Sequence, residues 1–398
     1  MRDQFPQLSE KVYGKQLVYL DNAATSLRPQ RVIDLWEELS SRKNANLHRA
    51  VHHIAAVATE EYETTRDAVR QYLNADSREE IIFTSGATAS INLVAFSFGE
   101  AFIKEGDEII VTEAEHHSNI VPWQMLCKRK NAVLKHLEVD DNGHLKYGEL
   151  ETMITPKTKL VCVSHISNVL GLTNPIKKIV NICHSKGCYV LADGAQGIVH
   201  EAVDVRDLGC DFYAFSGHKV FSAPGTGVLY GRRELLEKMP PFMGGGEMIG
   251  TVSWAGTTYA PLPQKFEAGT QNMAGVPTLK PALEIAAELR ANDNDDVRDF
   301  VLDALSRNDR IRLFGIPGGE FKKVPLFSFT VEGAHHEDLA LILDKMGIAV
   351  RSGQMCAEPL MDRFGVTGMV RASFAQYNTL QEAEYFIDSL EKAISMLV

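Results

Sequence analysis

A lysine, an aspartate and a glycine-bearing turn, each at the end of an apolar run, carry most of the chemistry open to this sequence. The stretch Asp211–Lys219, D-F-Y-A-F-S-G-H-K, reads as a short buried strand that passes Ser216 and Gly217 and presents His218 and Lys219. A lysine just past such a strand lies where open α/β sheets hold ligands. Partial desolvation lets its amine lose a proton near neutral pH and attack a carbonyl, forming a Schiff base. A solvated lysine opening a loop fits the same stretch.

The run V-L-A-D-G-A-Q puts Asp193 at a second strand end and Gln196 at the start of the next element. A buried carboxylate is costly unless it meets a cation or several donors. A pyridinium N–H suits it, because protonation there makes pyridoxal phosphate an electron sink; an N-cap aspartate is the plainer alternative. The strand-like E-I-I-F-T feeds S-G-A-T-A-S-I-N, placing Gly86, Ala87 and Thr88 at a helix N-terminus. Free N–H groups and the helix dipole favour a phosphate there, although an ordinary capped turn would look the same. His116, in E-H-H-S-N after the run Glu108–Thr112, could stack on an aromatic cofactor or move protons. Lys219 follows Asp193 by 26 residues (219 − 193), about one strand–helix–strand repeat, so both can reach one crevice. No G-x-G-x-x-G follows a strand and no G-x-x-x-x-G-K-[ST] occurs, which removes the main support for dinucleotide or nucleoside triphosphate binding.

The elements that must position these groups alternate. Strand candidates Ile81–Thr84, Glu108–Thr112, Ala132–His136, Lys159–Val163, Tyr189–Ala192, Phe212–Phe215 and Gly227–Tyr230 are interleaved with helical stretches such as Ala89–Phe98 and Pro175–His184. This pattern predicts an α/β fold with a mostly parallel sheet covered by helices on both faces. After the polar break Asn292–Asp296 the pattern becomes α+β: strand Leu326–Val331, helix Glu337–Met346, strand Val370–Ser373 and helix Leu380–Leu397. The expected organisation is a large domain over 16–284 and a smaller one from 1–15 and 285–398.

The 398 residues carry a net charge of −11, which argues against a nucleic-acid footprint. With no twenty-residue apolar span and no apolar signal core, neither a membrane nor export is expected, and the expected location is the cytoplasm. The cysteines Cys127, Cys162, Cys183, Cys188, Cys210 and Cys356 show no metal-type spacing. Cys356 differs from the rest by following R-S-G-Q-M in a polar stretch without strand or helix period, which makes it the one thiol suspected of chemistry.

Across nearly its whole length the chain resembles the class V aminotransferase-fold (fold type I) pyridoxal-phosphate enzymes, close to the group II cysteine desulfurases and selenocysteine lyases. The resemblance rests on L-D-N-A-A-T, A-N-L-H-R, T-S-G-A-T, E-H-H-S-N-I-V-P-W, S-N-V-L-G, D-G-A-Q, F-S-G-H-K, K-F-E-A-G-T and R-S-G-Q-M-C-A. It implies Lys219 as the Schiff-base lysine, Asp193 as the pyridinium partner, His116 as ring-stacking proton shuttle and Gln196 at the phenolic oxygen. It also implies phosphate binding by Ala87, Thr88, Ser216 and His218, joined by Thr270 from the second subunit of a homodimer. Asn168, Arg371, Arg351, His48 and Ala23 would meet the substrate, with Arg371 as a fork on its carboxylate and Arg351 close enough to steady a thiolate. The implied reaction takes L-cysteine to L-alanine through a persulfide on Cys356, passed to an acceptor protein of iron–sulfur cluster assembly. Selenocysteine lyase, cysteine sulfinate desulfinase, another activity of this fold, or a non-catalytic scaffold for sulfur transfer are the alternatives. Gln354-Met355, Ala89 and the shortened segment after Met273 depart from the family pattern without removing a residue the reaction requires.

Overall fold

The computed structural model describes residues 2–49, 51–291 and 295–398. Its centre is a seven-stranded sheet. Across the sheet the strands are Ile81–Thr84, Gly227–Gly231, Phe212–Ser216, Tyr189–Asp193, Thr158–Ser164, Glu108–Thr112 and Val133–Leu137. From Phe212–Ser216 to Val133–Leu137 every neighbour is parallel. Gly227–Gly231 alone is reversed, antiparallel to the strand on either side.

Alternation along each strand supplies two cores. Ile82, Ile109, Leu160, Leu191 and Phe212 join one apolar cluster, with Phe98 and Trp123 from the covering helices. Phe83, Ile110, Val161, Val190 and Tyr213 join the other. Successive side chains point to opposite faces, and both faces are buried, so the strands read as unbroken apolar runs rather than as amphipathic ones.

A second, antiparallel sheet of four strands has the order Ile311–Phe314, Leu326–Val331, Met369–Ser373, Arg351–Gly353. Helices Asp295–Ser306, His336–Lys345 and Leu380–Leu397 pack on it around Phe327, Phe329 and Phe386. Thr379 and Glu382 form a capping box that starts the last helix. Val18–Tyr19, which the expected boundary at residue 16 groups with the large domain, pairs in parallel with Ile348–Ala349 of this C-terminal unit.

Several elements differ from expectation. The stretch before Cys356 contains a short edge strand, Arg351–Gly353, held by pairing with Met369–Ser373 rather than by any period of its own. An exposed hairpin, Ile249–Ser253 with Gly256–Tyr259, forms between the strand candidates Gly227–Tyr230 and Leu326–Val331. Helices Val121–Lys130 and Asp295–Ser306 also form. Part of the expected break, residues 292–294, lies outside the described residues.

Candidate active site

A cavity of about 250 Å³ opens at the C-terminal ends of the parallel strands. Lys219 and Asp193 both line it, as the strand-end argument requires. Lys219 closes a short 3-10 turn after Phe212–Ser216. Gly217 is needed in that turn, because a Cβ would lie 2.2 Å from Thr226 Oγ1. Burial lowers the Lys219 amine below the ordinary lysine range, against the opposing pull of Asp193.

Asp193 ends its strand with Oδ1 accepting from the Ala195 N–H at 2.9 Å. Among the described residues its carboxylate has no other hydrogen bond. Burial raises its pKa, with Ala195 N–H and Lys219 acting the other way. Such a buried, half-satisfied carboxylate facing a cavity calls for a cationic N–H donor.

His116 caps the turn His117–Asn119. Its Nδ1 accepts from the Ser118 N–H at 3.1 Å and lies 2.8 Å from Ser118 Oγ. With Nδ1 accepting, the proton of the neutral ring sits on Nε2. Burial, then the charges of Lys219, His117 and Arg371, push its pKa down to about 4, so the ring is neutral at pH 7. Behind it Glu115 is wholly buried and holds Thr112 Oγ1, the Ser164 N–H and Asn119 Nδ2. Burial lifts that carboxyl to about 7.

The turn expected to hold an anion lies where Ile81–Thr84 enters helix Ala87–Phe102. Ala87 N–H donates to Ser216 Oγ at 2.8 Å, which ties this turn to the strand that carries Lys219. Gly227, at the start of the reversed strand, presses on Gly86: a Cβ there would be 2.3 Å from Gly86 Cα. Thr88 and His218 complete the wall. His218 Nδ1 lies 3.2 Å from Thr25 Oγ1, and burial first, then Lys219 and Arg28, bring its pKa to about 4. Gln196 Nε2 donates to the Ala23 carbonyl at 2.8 Å, joining two further expected residues at this wall.

On the opposite wall stand Asn168, Arg351, Cys356 and Arg371. Arg371 is buried, its Nη1 donating to the Asn168 carbonyl at 2.9 Å and its Nη2 to Asp21 Oδ1 at 3.2 Å. Among the described residues its Nε has no partner, and each Nη keeps a second N–H. Arg351 Nη1 lies 3.9 Å from Asp21 Oδ2. Cys356 is exposed while Cys127, Cys162, Cys183, Cys188 and Cys210 are buried.

The structure does not bring every expected residue to this cavity. His48 lies outside its lining, with Nε2 3.0 Å from Glu63 Oε1, a hydrogen bond that raises its pKa. Thr270 is exposed and also outside, in the segment that follows Glu267. Sequence reasoning does not single out Asp21, Ser118 or His117 for the site. The place of Asp21 after the apolar run L-V-Y-L is the available signal, but its partner Arg371 is 350 residues away. Among the described residues no helix is long and apolar enough to cross a membrane, and no cluster of His, Cys, Asp and Glu could hold a metal ion.

A strand-end lysine, a buried carboxylate and a glycine-bearing anion turn around one cavity define the fold type I class of α/β enzymes. The profile of the aminotransferase class-V family matches residues 18–386. A probable cysteine desulfurase of Vibrio cholerae is 45% identical over 100% of this chain and 98% of its own length. One of Halalkalibacterium halodurans is 44% identical over 98% of this chain and 96% of its own. Among solved structures, the cysteine desulfurase CsdA from Escherichia coli, in its S-sulfonic acid form, superposes with a TM-score of 0.91 at 39% identity, covering 100% of this chain and 98% of that one. The apo cysteine desulfurase of Thermococcus onnurineus gives 0.92 at 36% identity, covering 99% of each. The chain belongs to the class-V aminotransferase family, and within it to the group formed by these cysteine desulfurases.

Proposed function

We propose that the chain is a cysteine desulfurase that converts L-cysteine to L-alanine and carries the sulfur on Cys356 to an acceptor protein, for iron–sulfur cluster assembly. The observation that carries this reading is the exposed thiol of Cys356 on the wall of the cavity that also holds Lys219, Asp193 and Arg371.

The residues present fit pyridoxal phosphate. Asp193 offers its free carboxylate oxygen to the ring nitrogen, His116 a neutral face for the ring, Gln196 an amide for the phenolic oxygen, and Ala87, Thr88, Ser216 and His218 a phosphate site. Bound there, the cofactor supplies a carbonyl for an amine and an electron sink for the carbon that loses its proton. Lys219, its ammonium disfavoured by burial, is the amine that holds the cofactor between turnovers and accepts or returns the substrate's α-proton at Nζ. Asn168 and Arg371 hold the substrate carboxylate, Arg371 through the Nη hydrogens that its protein partners leave free. Cys356 Sγ attacks the substrate sulfur; an S–S bond forms as the Cβ–S bond breaks, and the carbon keeps the electron pair and takes a proton to give alanine. Arg351 supports the thiolate that this attack needs. A thiol nucleophile works where it stays reduced, so the reading goes with a cytoplasmic setting.

The reading includes a homodimer, with Thr270 joining the phosphate site from the second copy. The exposed hairpin supports it: Trp254 is 106% and Val252 63% exposed, an apolar surface suited to burial against another chain.

The test is alanine formation from cysteine with mass spectrometry of Cys356. Wild type is expected to gain one sulfur on that residue. Cys356→Ala is expected to keep the cofactor and lose sulfide release from cysteine; release undiminished in that variant overturns the persulfide role and leaves a lyase.

A further inference from the structure

Lys323 is a buried lysine with no carboxylate partner among the described residues. It is 4% exposed, and its Nζ donates to the carbonyls of Leu170 at 2.7 Å, Phe314 at 3.1 Å and Gly315 at 2.8 Å. An ammonium has three protons, so the cage uses all of them. The cage is tight as well as polar. A Cβ on Gly315 would lie 2.1 Å from the Leu170 carbonyl oxygen, so the two backbone segments approach closely at the cage.

The Leu170 contact belongs to a series. Successive carbonyls of one loop each accept from the C-terminal unit: Asn168 from Arg371 Nη1 at 2.9 Å, Val169 from Ser328 Oγ at 2.6 Å, Leu170 from Lys323 Nζ at 2.7 Å, and Gly171 from the Val324 N–H at 2.9 Å. The same loop sends Asn168 Nδ2 to the Met355 carbonyl at 2.9 Å, one residue before Cys356. The loop therefore sets two things at once, the guanidinium of Arg371 and the backbone next to the thiol.

We propose that Lys323 is a positioning residue for the substrate-carboxylate site: its ammonium, filling the cage of Leu170, Phe314 and Gly315 carbonyls, fixes the loop that orients Asn168 and Arg371. The inference rests on the reading of those two residues as the carboxylate holders. Removing the ammonium takes their shared donor from three carbonyl oxygens at once, and the loop must then shift to reach water. The shift is felt by Arg371 through the Asn168 carbonyl.

The experiment compares Lys323→Met with wild type and with Lys322→Met, whose side chain is exposed. Lys323→Met is expected to raise KM for cysteine and to weaken L-alanine binding about 10- to 100-fold, the scale of a displaced substrate clamp, with kcat and cofactor content near wild type. Amide exchange at Asn168–Gly171 is expected to speed up in that variant only. A second arm uses Lys323→Ala with propylammonium, which can refill the cage and restore KM, against tetramethylammonium, which has no proton to donate. Unchanged KM and alanine affinity overturn the proposal, and so does a loss of cofactor and stability with KM unmoved. Should Lys323→Met not fold, Ser328→Ala tests the neighbouring carbonyl of the same series; unchanged alanine affinity there overturns the proposal equally. Amide exchange and alanine affinity need no turnover, so they decide the role of Lys323 even if wild type releases no sulfur from cysteine and the desulfurase reading fails.

Discussion

The N–H of His117 donates to the carbonyl of Cys356 at 2.8 Å, so the turn that carries His116 also holds the backbone of the exposed cysteine. His117 makes a second contact on the same loop: its Nε2 accepts from the Glu358 N–H at 3.1 Å, at the start of helix Glu358–Phe364. At the first of these contacts Met355 and Cys356 have φ of 54° and 56°. Left-handed backbone at non-glycine residues costs about 1–2 kcal/mol each and persists only where the surroundings enforce it. We expect His117→Ala to slow persulfide formation about tenfold while leaving cofactor absorbance intact, and His117→Gln, whose carbonyl can accept the same N–H, to recover most of it. Alkylation of Cys356 by iodoacetamide reads the same effect without substrate.

Glycine at position 227 is set by the backbone of Gly86. Gly227→Ala would drive a methyl group into that backbone, so the anion turn must move. Overpacking of this kind costs about 1–3 kcal/mol. The expected result is a protein that folds but loses pyridoxal phosphate on dialysis, measured by absorbance and by phosphate content.

Glu267, from K-F-E-A-G-T, is buried and forms a paired fork with Arg66: Nη1 to Oε1 at 2.7 Å and Nη2 to Oε2 at 2.9 Å. Arg66 Nη1 also donates to the Ile81 carbonyl, and Glu267 Oε1 accepts from the Phe83 N–H. This pair joins helix His53–Tyr72 to the strand that feeds the anion turn. Arg66→Met leaves Glu267 buried without its cation, and urea denaturation is expected to show a loss of about 3–5 kcal/mol.

Buried histidines make one sign of pH dependence explicit. His165, whose Nδ1 lies 3.0 Å from Tyr213 Oη, is brought to about 4 by burial. The unfolded chain protonates it near 6.5, so its contribution to stability is full above pH 6.5 and is lost as the pH falls toward 4. The slope is about 1.4 kcal/mol per pH unit at most. His165→Asn is expected to show a shallower fall in stability between pH 6.5 and 4 than wild type, measured by denaturation at several pH values.

Much of the site is legible in the sequence because strand ends are local. Lys219, Asp193 and the turn at Gly86 each follow an apolar run, and the structure gathers them at one cavity. The reversed direction of Gly227–Gly231 is not legible, since alternation carries no sign of direction. Nor is the strand Arg351–Gly353, which takes its conformation from the neighbouring strand Met369–Ser373. Nothing in F-K-K-V-P distinguishes Lys323 from Lys322, and only the fold shows carbonyls converging on it. Asp21 and Arg371 are each visible, but their pairing depends on contacts across most of the chain.

The reversed strand has a consequence for the order of assembly. Its first residue, Gly227, is in register with both Thr84 and Ser216. The anion turn and the lysine turn therefore become neighbours only once this strand has slotted between theirs. Ile81–Thr84 can be complete early in synthesis and still have nothing to hold its turn against Ser216 until residue 231 has emerged and paired. Contacts this distant along the chain form slowly. The contact of the Ala87 N–H with Ser216 Oγ is thus a late product of folding, and its presence reports a finished sheet.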